Sequence, residues 1–167
     1  MRKKLLLVIV ILSVTITEVQ AQTYLDCGLF TNFLLSNSSN TIKPSKSETK
    51  LLEMINEKLS LNTYLNKFIR EPNQTIIISL YTTGTLNDLT QKLNDCKIPF
   101  NYKKNVKKKE TEYSCYSFNL NNENIIRIVF NEPNLTLCIV IDVLVKNENV
   151  EYDSITNEII RRISFKS

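Results

Sequence analysis

The chain contains no histidine and only two glycines in 167 residues. The missing histidine removes the side chain that most often titrates near neutral pH. No Ser-His-Asp triad, Cys-His dyad or imidazole metal ligand can be assembled. With glycine confined to Gly28 and Gly84, neither a phosphate-cradling P-loop nor a GxGxxG dinucleotide turn can be written. The four cysteines, Cys27, Cys96, Cys115 and Cys138, include no CxxC pair. That argues against a thioredoxin-like redox site and, without histidine, against zinc. No cofactor or metal is expected.

What the sequence does have begins at its amino end. Arg2, Lys3 and Lys4 precede the apolar run Leu5 to Ile16, and Val19-Gln20-Ala21 supplies small residues before Gln22. This is the pattern of a cleavable secretory signal, with residues 1–21 removed and 22–167 forming one domain. A spanning helix needs about 20 apolar residues, and Thr15, Thr17, Glu18 and Gln20 interrupt the run too early. No transmembrane segment is expected after cleavage, and the product is expected to be secreted or periplasmic.

Export changes how the charge is read. The whole chain carries +4, but cleavage removes three basic residues and Glu18, leaving 18 basic against 16 acidic side chains. A net charge of +2 does not imply general nucleic-acid affinity. The sequons at Asn37, Asn73 and Asn134 do not identify a eukaryotic pathway, because 20 asparagines and 28 serines plus threonines give about three such motifs by chance. In an oxidising compartment an even set of cysteines predicts two disulfides.

Periodicity predicts a mixed fold. Residues 22–35 are mixed apolar, and 36–47 read as a loop. Ser45 and Glu48 have capping-box spacing, followed by Leu51, Leu52, Ile55 and Leu59 at helical intervals. Leu61, Tyr64, Leu65, Phe68 and Ile69 suggest a second helix ending at Pro72. Thr75 to Thr82 reads as a strand, then a helix capped by Thr85 carries Leu86, Leu89, Leu93 and Cys96. A weak strand near Ile98 to Phe100 would complete a βαβ-like unit.

Lys103 to Glu110 reads as a charged loop. Three closely spaced strands follow at 112–120, 124–130 and 135–146, which predicts an antiparallel meander. A final helix begins at Ser154 and carries Ile155, Ile159, Ile160 and Ile163 on one face. In the third strand, Leu135, Leu137, Ile139, Ile141, Val143 and Val145 form an apolar face. The opposite face is half polar, which suits helices packed on one side only. The expected fold is therefore a two-layer α+β domain, its C-terminal antiparallel sheet covered by helices. Strands two positions apart lie about 9–10 Å from each other, whereas a disulfide needs Cα atoms within about 7 Å. The meander thus disfavours Cys115–Cys138 and its complement Cys27–Cys96.

Few residues invite a functional role. Lys103, Lys104, Lys107, Lys108 and Lys109, bracketed by Tyr102 and Tyr113, form a candidate anion- or partner-binding group, although Glu110 and Glu112 offset part of the charge. Asp142, flanked by apolar residues, is expected to be half exposed or hydrogen-bonded near a sheet end. Arg127 could pair with Asp142 two strands away, but the simpler expectation points it to solvent on the less apolar face. No catalytic residue is assigned. The function expected is a non-enzymatic binding or accessory module contacting a protein or envelope component. The alternatives are a carboxylate-dependent hydrolase of a glycan-like polymer and a secreted effector or inhibitor using the basic segment.

Overall fold

Strand β9, Cys138–Val145, is buried along its whole length because it occupies the middle of a seven-stranded sheet. Across that sheet the order is β3 (Asn40–Ile42), β4 (Thr63–Arg70), β5 (Gln74–Tyr81), β9, β8 (Glu123–Asn131), β7 (Thr111–Leu120) and β6 (Phe100–Lys108). Every neighbouring pair is antiparallel. A second antiparallel sheet places β2 (Thr31–Leu34) between β1 (Tyr24–Asp26) and β10 (Ile163–Phe165). Helices α1 (Lys46–Leu59) and α2 (Tyr152–Arg162) accompany them. The computed structural model describes residues 22–27, 31–59, 63–81, 91, 95, 99–120, 122–131, 137–146 and 149–166.

The large sheet has apolar cores on both faces. Ile76, Ile78, Ile126, Ile128, Ile139, Ile141 and Val143 form one core with Phe33 of the small sheet and Ile159, Ile160 and Ile163. The other face sets Phe68, Ile77, Val140 and Leu144 against Leu51, Leu52 and Ile55 of α1. The strand period of two distributes neighbours in sequence between these cores. The helix start on the second face is the one the spacing predicts. Ser45 N donates to Glu48 Oε2 at 2.8 Å and Glu48 N donates to Ser45 Oγ at 3.2 Å, a reciprocal capping box. Glu48 also receives Arg70 Nη2 at 2.5 Å, tying α1 to β4.

This architecture corrects the expected two-layer α+β fold: the described residues are mostly β and form two antiparallel sheets. Residues 63–70 form β4 where a helix was expected. Phe68 and Ile69 are both buried, but on opposite faces of the sheet. An apolar pair buried on two faces imitates part of a helical stripe. Residues 103–108, expected within a charged loop, lie in β6, which begins at Phe100, where a weak strand was expected. The meander of β7, β8 and β9 is present, but β5 and β4 extend it on the far side of β9. Strands β5 and β6 run parallel, yet three strands separate them, so they do not form an adjacent βαβ pair. The helix expected after Thr85 lies outside the described residues except at Gln91 and Asp95, both helical.

The expected disulfides are also corrected. Among the described residues no disulfide joins Cys27, Cys115 or Cys138. Cys115 and Cys138 belong to the cores on opposite faces of the sheet, so the sheet itself separates them. Burial pushes the Cys115 thiol up to about 12, which leaves it protonated and unreactive at neutral pH. Cys96, the Asn134 sequon and the signal-like residues 1–21 lie outside the described residues.

Candidate functional site at the lysine-bearing sheet edge

The five lysines singled out by sequence fall on β6 and the turn after it. Strand β6 ends the seven-stranded sheet, with β7 as its one neighbour among the described residues. Its pairing with β7 runs from Phe100↔Phe118 to Lys108↔Thr111, with an irregularity between Phe100 and Tyr102. The extra residue, Asn101, reverses the alternation. Phe100 packs on the α1 side of the sheet, with its ring 5.4 Å from that of Tyr116. Tyr102 packs on the α2 side. A two-residue turn follows, with Lys109 at φ 56°.

That alternation disperses the lysines. Tyr102, Lys104, Val106 and Lys108 follow the α2 face, whereas Lys103 and Lys107 follow the other. Lys104 Nζ bonds Asp153 Oδ1 at 2.6 Å, and Tyr102 Oη donates to the same oxygen at 2.9 Å. Those two bonds lower the Asp153 pKa. Burial, reinforced by the bond to Asp153, pushes the Tyr102 hydroxyl up to about 12. Lys103 Nζ lies 5.9 Å from the centre of the Tyr116 ring, within reach of a cation–π contact. Among the described residues, Lys107 and Lys109 form no ion pair, although Glu112 stands opposite Lys107 in the ladder, and both lysines are exposed.

Lys108 has a structural role. Its Nζ donates to the carbonyls of Ile160 at 2.9 Å, Ile163 at 3.2 Å and Arg161 at 3.4 Å. These oxygens end α2, where carbonyls lack helical partners and the helix dipole favours a cation. Burial, and then the neighbouring Lys109, lowers the Lys108 pKa. Lys108→Met is expected to cost about 1 kcal/mol, measured by urea denaturation. A change below about 0.3 kcal/mol would remove its capping role.

Two buried ion pairs lie elsewhere. Arg127 does not face solvent: it is the direct cross-strand partner of Asp142. Its Nε and Nη2 reach Oδ1 and Oδ2 at 2.7 and 2.8 Å, and both residues are at most 1% exposed. Asp142 is therefore central and bidentately paired, not half exposed or near a sheet end. Burial opposes the guanidinium charge, but Asp142 more than offsets it and raises the Arg127 pKa. Tyr81, two residues beyond Ser79 on the same face, is pushed up to about 12 by burial.

The second pair was not foreseen. Arg162 Nη2 bonds Glu71 Oε1 at 2.7 Å, Nε donates to Leu34 O at 2.8 Å, and Nη1 reaches Glu158 Oε1 at 3.2 Å. Glu71 also accepts from Ser39 and from Gln74 Nε2, the latter at 2.7 Å. Burial alone would raise the Glu71 carboxyl, but Arg162, Ser39 and Gln74 hold it at about 2. Glu71 and Glu158 both line a cleft of about 400 Å³. Their shared guanidinium makes this a poor acid–base pair, because a glycosidase acid needs its pKa raised.

Among the described residues no three cysteine, aspartate or glutamate side chains gather as a metal site requires. None of the described helices is long and apolar enough to cross a membrane. The chain matches no family model and no curated protein.

Proposed function

We propose that the chain is an exported, non-enzymatic binding module that contacts a protein or envelope component through the outer edge of β6. The observation that carries this reading is a nine-residue edge strand bearing lysines on both faces, with no outer neighbour among the described residues. An edge presents backbone donors and acceptors at strand spacing, so an extended segment adds to it as a further strand. Lys103, Lys107 and Lys109 favour an acidic segment and disfavour pairing with a second β6, which would bring like charges together. Lysines on an edge also discourage indiscriminate strand addition, which suits a surface selective for its partner's charge. Export rests on the basic, apolar and small-residue pattern of residues 2–21.

The hydrolase alternative gains nothing from the Glu71 cleft, where the carboxyl with a shifted pKa moves down rather than up. The effector or inhibitor alternative would use the same edge and differs only in the consequence of binding.

The test uses a labelled eight-residue peptide alternating glutamate with threonine, followed by fluorescence anisotropy. Reversing the charges of Lys103, Lys107 and Lys109 to glutamate is expected to weaken binding at low salt by about tenfold or more, from about 0.2–1 kcal/mol per exposed pair plus the new repulsion. Methylating alternate peptide nitrogens is expected to abolish binding by removing ladder donors. Binding that survives both changes would exclude β6 as the docking edge. Equal retention of a strand-incompetent polyanion such as heparin would reduce the contact to charge alone.

A further inference from the structure

We infer that Gln22, once exposed as the amino terminus, closes on itself to a pyroglutamyl lactam, with the Tyr24 hydroxyl polarising the amide that is attacked. This rests on the proposed cleavage before Gln22. Tyr24 Oη donates to Gln22 Oε1 at 2.9 Å, drawing electrons from the side-chain carbonyl carbon. Leu35 N donates to Thr23 O at 2.9 Å, and β1 begins at Tyr24. The backbone between the two side chains is thereby anchored to the small sheet. Gln22 is exposed and Tyr24 is 47% exposed, so water reaches the site and the leaving group departs freely.

The reaction needs no co-reactant. The α-amine lone pair forms a bond to the side-chain carbonyl carbon, and the carbonyl π electrons move onto Oε1, where the Tyr24 hydroxyl stabilises the developing charge. Collapse restores the carbonyl and breaks the bond to Nε2. The proton released by the attacking nitrogen passes to Nε2, which leaves as ammonia. Ring closure is intramolecular, so the translational cost of bringing the groups together is already met. The product carries no terminal positive charge and offers no free amine to an aminopeptidase. Gln22 lines a surface cleft with Thr23, Leu34 and Leu35, so the modification converts a charged rim into a neutral one.

Secretion of the full-length chain followed by intact-mass and amino-terminal peptide analysis tests this directly. The expected product begins at residue 22, is lighter by one ammonia, and resists stepwise amino-terminal degradation until treated with a pyroglutamyl peptidase. In material collected soon after secretion, Tyr24→Phe is expected to close several-fold more slowly. A mature chain that begins at Gln22 and keeps its free amine on prolonged incubation would overturn the lactam but leave export standing. An amino terminus elsewhere would overturn both. Equal closure rates in Tyr24→Phe would overturn the polarising role of Tyr24.

Discussion

Replacing Arg127 by methionine is expected to cost about 3–5 kcal/mol of folding stability, the range for removing one partner of a buried ion pair. Asp142 would remain at the centre of the sheet, 0% exposed, between Ile77 of β5 and position 127 of β8. Its two carboxylate oxygens would lose both guanidinium donors. Unpaired charge in an apolar core costs far more than the loss of a surface contact. Arg127→Met combined with Asp142→Leu is expected to recover most of the loss, because a hydrophobic pair of similar volume has no charge to desolvate. Urea denaturation of the two single variants and the double variant at neutral pH gives the comparison. Additive losses would refute the coupling of the pair. A single-variant cost below about 1 kcal/mol would mean that water reaches Asp142 when Arg127 is gone.

The pair also marks where the sequence was legible and where it was not. The strands around Asp142 are visible because β8 and β9 alternate or run apolar between asparagine-rich stretches of sequence, and Asn122 takes the left-handed conformation at φ 63° that asparagine tolerates. The capping box at Ser45 and Glu48 was equally visible, since its partners are three residues apart. Residues 63–70 were misread because burial on both faces erases the period-two signature of a strand and leaves Phe68 and Ile69 looking like neighbours on a helix. Residues 103–108 depart from the expected loop for the opposite reason. An edge strand buries little, so lysines interrupt its pattern, and Asn101 then shifts the phase. Pattern alone does not decide the Arg127–Asp142 pair, because alternation places both residues on the less apolar face without showing that this face is covered. Compartment predicted the disulfides, but strand parity sends Cys115 and Cys138, the pair the meander disfavours, to opposite cores, and Cys27 shares a core with Cys115 without being joined to it by a disulfide. Glu71 and Arg162 are 91 residues apart, a separation over which local patterning carries no information.

Glu71 and Arg162 yield the second large effect, an acid-sensitive clamp between the two sheets. Arg162, at the end of α2, reaches the Leu34 carbonyl on β2 and the Glu71 carboxylate beyond the end of β4. Its guanidinium carbon also lies 4.5 Å from the centre of the Phe33 ring. Glu71 is ordinarily a carboxyl of pKa 4.5 and is held at about 2 in the fold. A folded pKa below the unfolded one gives stability that is full above the unfolded value and lost as pH falls toward the folded value. The window is therefore pH 4.5 down to about 2. A shift of that size corresponds to about 3 kcal/mol, and screening at the rim of the cleft brings the expected contribution to roughly 2 kcal/mol. Glu71→Gln retains a side chain of the same shape without the charge. It is expected to be less stable than the parent by that amount at neutral pH, with the difference closing as pH approaches 2. Taking the difference removes the slopes from Glu48 and Asp153, whose pKa values are also lowered and which both proteins share. Denaturant midpoints at intervals from pH 7 to pH 2 measure it. A parent–variant gap that stays constant across that range would show that Glu71 acts through its hydrogen bonds alone. A gap that closes would identify its charge as the acid-labile link between the small sheet and the large one.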